Sequence, residues 1–134
     1  MPASNGTNYE DPMAKAEEFT RVFNELKKLV QPLGKSMTVL IDKPAAFILE
    51  GGYVEEYQRK MWFGGVRRGK AYVSYHLIAV YAFPELMKDV SPKLRARMQG
   101  KSCFNFTKHD PGLFRELKRL TQKSFARFRK AKWV

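Results

Sequence analysis

Arg97-Met98-Gln99-Gly100-Lys101-Ser102-Cys103-Phe104-Asn105-Phe106 and the run after it decide the fold. Gly100 allows a tight turn. Ser102 to Phe106 then alternates as a strand does, Phe104 and Phe106 on one face and Cys103 and Asn105 on the other. Asp110 is a good N-cap and Pro111 suits the first helical turn. The helix expected from about Pro111 to Arg129 carries the clearest periodicity in the chain. Leu113, Phe114, Leu117, Leu120, Phe125 and Phe128 share one arc, and Arg115, Lys118, Arg119, Lys123, Arg127 and Lys130 share the opposite one. One strand and one helix thus supply much of a core while presenting a basic outer surface.

Working outward toward the N-terminus, Asp11-Pro12 repeats the helix-start signal, and Phe19, Val22, Phe23, Leu26, Leu29 and Val30 follow at helical spacing. Pro32 and Gly34 end that helix. Met37 to Ile41 and Ala46 to Leu49 read as strands joined at Asp42-Lys43-Pro44, with Gly51-Gly52 breaking the second. Tyr53 to Gln58 reads as a loop or a single helical turn. Lys60 to Val66 and Ala71 to Leu77 read as a second strand pair turning at Arg67-Arg68-Gly69, where Gly69 is free to take positive φ. Gly64-Gly65 within it signals a bulge or a close backbone approach. Tyr81 to Lys88 and Pro92 to Met98, the latter capped by Ser91, read as short helices. The fold class is α+β in the order α-β-β-β-β-α-α-β-α. The expected sheet has about five strands, mainly antiparallel, with the N- and C-terminal helices on one face.

The 134 residues suit a single domain over 11–134, preceded by a polar leader, residues 1–10, expected to be disordered. No run is apolar enough to cross a bilayer, and no secretory h-region is seen, so no membrane role is expected. One cysteine excludes an internal disulfide and fits a reducing compartment, hence a cytoplasmic location. The formal net charge is +12 and lopsided. Residues 1–92 hold 12 Lys+Arg against 11 Asp+Glu, whereas 93–134 hold 13 against 2. That imbalance favours an anionic partner.

Tyr72-Val73-Ser74-Tyr75-His76-Leu77, Phe83-Pro84-Glu85-Leu86, and Ser91-Pro92 leading into Arg97–Phe106 resemble the YdhG-like family, a domain of unknown function. The resemblance covers roughly Phe19 to Phe128. It implies a small α+β domain and brings no established activity. Some relatives are described as frataxin-like, which raises iron binding by carboxylates of the first helix: Glu10, Asp11, Glu17, Glu18 and Glu25. Lys15, Arg21, Lys27 and Lys28 interleave with these acids, and a strongly positive protein repels cations.

Other chemistry is weaker. Gly100-Lys101-Ser102 ends like a phosphate loop, but Arg95 stands where a glycine is needed and a strand follows. Gly34-Lys35-Ser36 fails likewise, with Leu29 in that place. His76, His109 and Cys103 lack metal-ligand spacing. Ser74 and His76 point the same way on a strand, and Cys103 has Lys101 two residues away, which lowers its pKa if the side chains converge. Neither pairing has an orienting acid. His109 is expected to be exposed, and no cofactor is implied.

Two binding surfaces remain. Tyr75 or His76, together with Tyr81, Arg97, Gln99, Lys101 and Asn105, form a candidate pocket for a phosphorylated small molecule. Arg115, Lys118, Arg119 and Lys123 form a diffuse basic face suited to nucleic acid, with Arg67 and Arg68 at a hairpin tip and Tyr57, Trp62, Tyr72, Tyr75 and Trp133 as stacking candidates. The sequence therefore reads as a non-catalytic binding module for an anionic partner. Its alternatives are an iron-binding protein and an enzyme built near His76 and Cys103. Monomer and homodimer stay open.

Overall fold

The computed structural model describes residues 11–134, so the expected leader and Glu10 lie outside the described residues. The elements are α1 (Pro12–Val30), β1 (Thr38–Lys43), β2 (Ala46–Val54), β3 (Arg59–Arg68), β4 (Val73–Leu77), α2 (Ile78–Ala82), α3 (Pro92–Arg95), β5 (Cys103–Phe106) and α4 (Pro111–Lys130). Their order is the one expected. The two long helices begin where their Asp-Pro pairs indicate, because each aspartate accepts an otherwise unpaired first-turn N–H. Asp11 accepts from Met13 at 3.0 Å, and Asp110 from Leu113 at 3.1 Å.

The strands form one antiparallel sheet in chain order, β1-β2-β3-β4-β5. Every connection up to β4 is a hairpin, so the helices come from the two ends of the chain and from the β4–β5 connection. α1 and α4 pack together on one face. Under them lie Phe47, Leu49, Phe63, Val66, Val73, Tyr75, Leu77, Phe104 and Phe106, all buried. The opposite face carries three rungs of partnered residues: Glu50 and Trp62; Ile41, Ile48, Gly65, His76 and Cys103; and Lys43, Ala46, Arg67, Ser74 and Asn105. Ile48 in the middle rung is fully buried, whereas Ile41, Glu50, Trp62, Ser74, His76, Cys103 and Asn105 keep part of their surface accessible.

Two glycines and a bulge shape this open face. A Cβ on Gly64 would stand 2.0 Å from the His76 carbonyl oxygen, and one on Gly65 would stand 1.9 Å from that of Phe47. Both have positive φ, 148° and 152°, so the strands approach too closely there for any side chain. Leu49 pairs with Gly64 but the next residue, Glu50, pairs with Trp62, leaving Phe63 as the extra residue of a bulge. The bulge turns Phe63 into the core while keeping Trp62 outward, the usual effect of one extra residue in a strand.

Several local expectations are corrected. Gly51-Gly52 do not break β2, which runs on to Val54. The Gly52 N–H donates to the Trp133 carbonyl at 2.6 Å, and a Cβ on Gly51 would meet that same oxygen at 2.6 Å. These glycines therefore admit the C-terminal backbone. The β1–β2 hairpin turns at Pro44-Ala45 and the β3–β4 hairpin over Gly69 to Tyr72. Gly69 is absent from the positive-φ glycines among the described residues, which are Gly64, Gly65 and Gly100. Tyr81 to Lys88 is split, because Pro84 cannot continue α2 and instead starts a 3-10 turn, Pro84–Met87. Residues 53–58 finish β2 and then make a 3-10 turn, Glu55–Tyr57.

Candidate ligand-binding surfaces

The open sheet face holds a hydrogen-bonded chain of neutral side chains. Ser74 Oγ donates to Asn105 Oδ1 at 2.8 Å, and the Cys103 thiol donates to the same oxygen at 3.3 Å. Asn105 Nδ2 donates to Gln99 Oε1 at 2.6 Å, and the Tyr72 hydroxyl donates to that oxygen at 3.1 Å. Gln99 is held in place by the turn before β5: its N–H donates to the Cys103 carbonyl, and the Asn105 N–H donates to the Arg97 carbonyl. Both lone pairs of Gln99 Oε1 are thus used, which leaves its NH₂ group to face outward as a donor.

His76 and Cys103 are cross-strand partners in this face. Burial lowers the His76 pKa, and the Arg67 charge lowers it further, so the imidazole is neutral at pH 7. Burial raises the Cys103 thiol, with the neighbouring Ser74 hydroxyl opposing. The expected lowering by Lys101 does not occur, since that ammonium lies over the Tyr81 ring, 5.8 Å from its centroid. A thiol held protonated is a poor nucleophile. No hydrogen bond joins His76 to Ser74 or Cys103 among the described residues, so the pairing an activated nucleophile needs is not made in this geometry.

One depression lies on this face and a second at its edge, beyond the end of β4. A groove of about 800 Å³ runs from the β3–β4 hairpin to β5, lined by Arg67, Lys70, Tyr72, Ser74, His76, Gln99 and Cys103 among others, and by no carboxylate. Arg68 borders it only with its stem, because its guanidinium turns to the helix side and bonds Thr20 Oγ1 at 2.5 Å and the Ala16 carbonyl at 3.0 Å. The second depression is a cleft of about 320 Å³ walled by Tyr57, Arg59, Met61, Trp62, Ile78 and Tyr81. It exists because β3 is longer than β4: pairing stops at Gly64–Leu77, and α2 leaves the sheet at once. Met61 and Trp62 therefore face α2 across a gap instead of a neighbouring strand. Trp62 joins the two depressions, since the Arg67 guanidinium stands 5.9 Å from its ring centroid.

The expected pocket is divided by this geometry. His76, Gln99 and Asn105 meet in the groove and its hydrogen-bond chain, and Tyr81 and Lys101 meet at the cleft. Tyr75 is not a surface residue. It has 0% exposure, points under the helices with Val73 and Leu77, and bonds Thr121 Oγ1 at 2.7 Å. Strand alternation forces it to the face opposite His76. Arg97 is also elsewhere, in a separate depression of about 400 Å³ with Lys93, Lys108, His109, Asp110 and Leu113. Trp133, expected as a stacking candidate, is buried against Phe83 and Phe128. His109 is not exposed either: its side chain is 18% accessible, edge-on to Phe114 and 4.0 Å from Glu25.

The basic face takes the form expected. Arg115, Lys118, Arg119 and Lys123 are all exposed on the outer side of α4, and none makes an ion pair among the described residues. Farther along, Arg127 is engaged, bonding Glu85 at 3.2 Å and lying 3.9 Å from the Phe83 ring centroid. The acid within this stripe, Glu116, is spent on Ser91, accepting from its N–H and its hydroxyl at 2.7 Å each.

The acids of α1 are dispersed among partners. Asp11 caps the helix, Glu18 accepts from the His109 N–H at 2.8 Å, and Glu25 pairs with Lys28 at 3.1 Å. Glu17 lines a shallow depression along α1 that also holds Arg21, Lys27 and Lys28. Among the described residues, no group of three His, Cys, Asp or Glu side chains is placed to hold one metal ion. No helix there is long and apolar enough to cross a membrane.

The cleft was missed in the sequence. The one sequence signal was the bulge-prone Gly64-Gly65 after Trp62, since the two strands read as equal in length and their mismatch appears only in the pairing. No family model, curated protein or solved structure matches the chain.

Proposed function

We propose that this protein is a non-catalytic binding module for an anionic partner, in contact with phosphates through the outer face of α4. One observation carries the reading: Arg115, Lys118, Arg119 and Lys123 stand exposed along one helix face without acid partners. A row of unpaired cations is matched by a row of phosphates, and binding is driven largely by release of the counterions that the phosphates had condensed. Such contacts position a polyanion without reading its sequence. A cytoplasmic setting accords with a lone thiol, and the YdhG-like resemblance is compatible with the reading without adding an activity.

The test is a titration of a labelled DNA duplex followed by anisotropy at several salt concentrations. Four phosphate contacts give a slope of about −3.6 in log K against log salt, so binding weakens about 150-fold between about 50 and about 200 mM salt. Replacing Arg119 and Lys123 with glutamine halves the slope and leaves about a 12-fold loss over that range. Salt-independent binding, or a double variant that binds like the parent, refutes the reading.

A further inference from the structure

We propose that the open sheet face binds single-stranded nucleic acid, one base entering the cleft between Trp62 and Tyr81 and the neighbouring phosphates lying on Arg59, Arg67 and Lys101. This deepens the anionic-partner reading and rests on its premise of a phosphate-bearing partner. It uses a different surface, whose lining includes none of Arg115, Lys118, Arg119 and Lys123.

The cleft has the chemistry for a base. Its walls are the rings of Tyr57, Trp62 and Tyr81 with Met61 and Ile78, and the Tyr81 side is open, at 59% exposure. Stacking on such rings tolerates any base, because every base presents a π-face. Cations already stand at the rings: Arg67 at Trp62, Lys101 at Tyr81, and Arg59 in the wall itself. Glu50, opposite Trp62 in register, and Glu55 and Glu56, just before Tyr57, line neither depression.

The groove continues the same track. Its free hydrogen-bonding capacity near Gln99 is the outward NH₂ group, fixed because the oxygen already receives two donors. With Arg67 and Lys70 beside it and no carboxylate in the lining, it accepts carbonyl oxygens of bases and phosphate oxygens.

A polymer fits better than a small molecule. Both depressions are open, and they are joined through Trp62, whereas small-ligand sites bury about 70–90% of their ligand. A single strand fits better than a duplex, since paired and stacked bases cannot offer a face to Trp62.

The experiment follows tryptophan emission during titration with a homopyrimidine DNA single strand, an equally charged duplex, and inorganic polyphosphate. Trp133 is buried at 6% exposure, so quenching by a stacked base reports on Trp62. The single strand is expected to quench emission and the other two polyanions not to. Trp62→Leu abolishes the quench, and Trp62→Leu or Tyr81→Ala each weakens single-strand binding between about 5- and about 150-fold. Thermal melts of both variants verify folding. Equal competition by duplex or polyphosphate, with normal binding by both variants, overturns the proposal and leaves the α4 reading standing. Stabilisation by a mononucleotide or by inorganic phosphate without oligonucleotide binding overturns it too, in favour of a small-ligand site. Quenching that survives the Arg119 and Lys123 substitutions, together with no salt-sensitive duplex binding in the parent, supports this proposal while removing the α4 reading.

Discussion

Tyr75→Phe tests the assignment of that residue to the core, and its effect should reverse with pH. Thr121 Oγ1 donates to the Leu117 carbonyl at 2.7 Å, so the proton shared between Tyr75 and Thr121 comes from the phenol. Removing the phenolic OH leaves no donor unpaired, and the cost near neutral pH is that of one buried hydrogen bond, about 1 kcal/mol. Burial pushes the phenol well above its usual pKa of 10.0, with the Thr121 bond opposing. A raised folded-state pKa contributes stability that is present below the unfolded pKa and is lost as pH rises through the folded one. An unfolded phenol with a pKa of about 10 is favoured by about 1.4 kcal/mol at about pH 11, while the folded phenol stays protonated. The native chain should therefore exceed the Phe variant by about 1 kcal/mol at about pH 7 and fall below it by about 0.4 kcal/mol at about pH 11. Urea denaturation of both proteins, followed by circular dichroism across that range, measures the difference directly. Titration of the other tyrosines and lysines cancels in the comparison. A constant difference would mean an accessible phenol, and would return Tyr75 to the list of ligand contacts.

Gly65→Ala should cost more than about 3 kcal/mol in chemical denaturation, since a methyl group there combines positive φ with a clash against the Phe47 carbonyl. Gly100→Ala should cost only about 1–2 kcal/mol, because its φ is positive but the space is open; equal losses would show that conformation alone, not strand approach, selects these glycines. His76→Gln should narrow its stability gap to the parent as pH falls below about 6.5, because the lowered folded pKa withdraws stability as the unfolded imidazole gains a proton. A gap that widens in acid, seen in melts at about pH 7 and about pH 5, would mean that a protonated His76 finds a partner.

The long-range order of this fold was legible because its signals are local. Asp-Pro pairs start helices by supplying an acceptor where N–H groups lack one, and alternation in Val73–Leu77 and Cys103–Phe106 assigns each side chain to a face. The same alternation sets Ser74, His76, Cys103 and Asn105 on one face and Tyr75 on the other, so naming Tyr75 as a pocket residue beside His76 goes against a signal already in the sequence. What sequence reading missed depends on chain segments far apart. Gly51-Gly52 look like a break until the Trp133 carbonyl is brought against them. His109 looks exposed until α1 supplies Glu18 and Glu25. Arg97 reads with Gln99, two residues on, yet the turn sends it toward Lys108 and Asp110. The cleft needs the mismatch between β3 and β4, which follows from pairing and not from either strand alone.

The two long helices offer an internal comparison that bears on whether α4's charge is more than a solubility device. α1 carries Glu17, Glu18 and Glu25 among its lysines and arginines, and pairs one of them within the helix, Glu25 with Lys28. α4 sets Arg115, Arg119, Lys123 and Arg127 four residues apart in succession, so like charges face each other along the helix. Each such pair costs about 0.2–0.5 kcal/mol. Arg119 takes part in two of them, with some relief from Glu116 three residues before it, although that carboxylate is held by Ser91. Arg119→Gln should then stabilise the protein by about 0.3–0.8 kcal/mol at low salt, the gain fading as salt screens the repulsion. The same substitution should weaken polyanion binding and flatten its salt slope by about 0.9. A residue that lowers stability while raising affinity is held for the partner. If Arg119→Gln destabilises the fold and leaves binding unchanged, the stripe is serving the helix itself, and the functional proposal for this face fails.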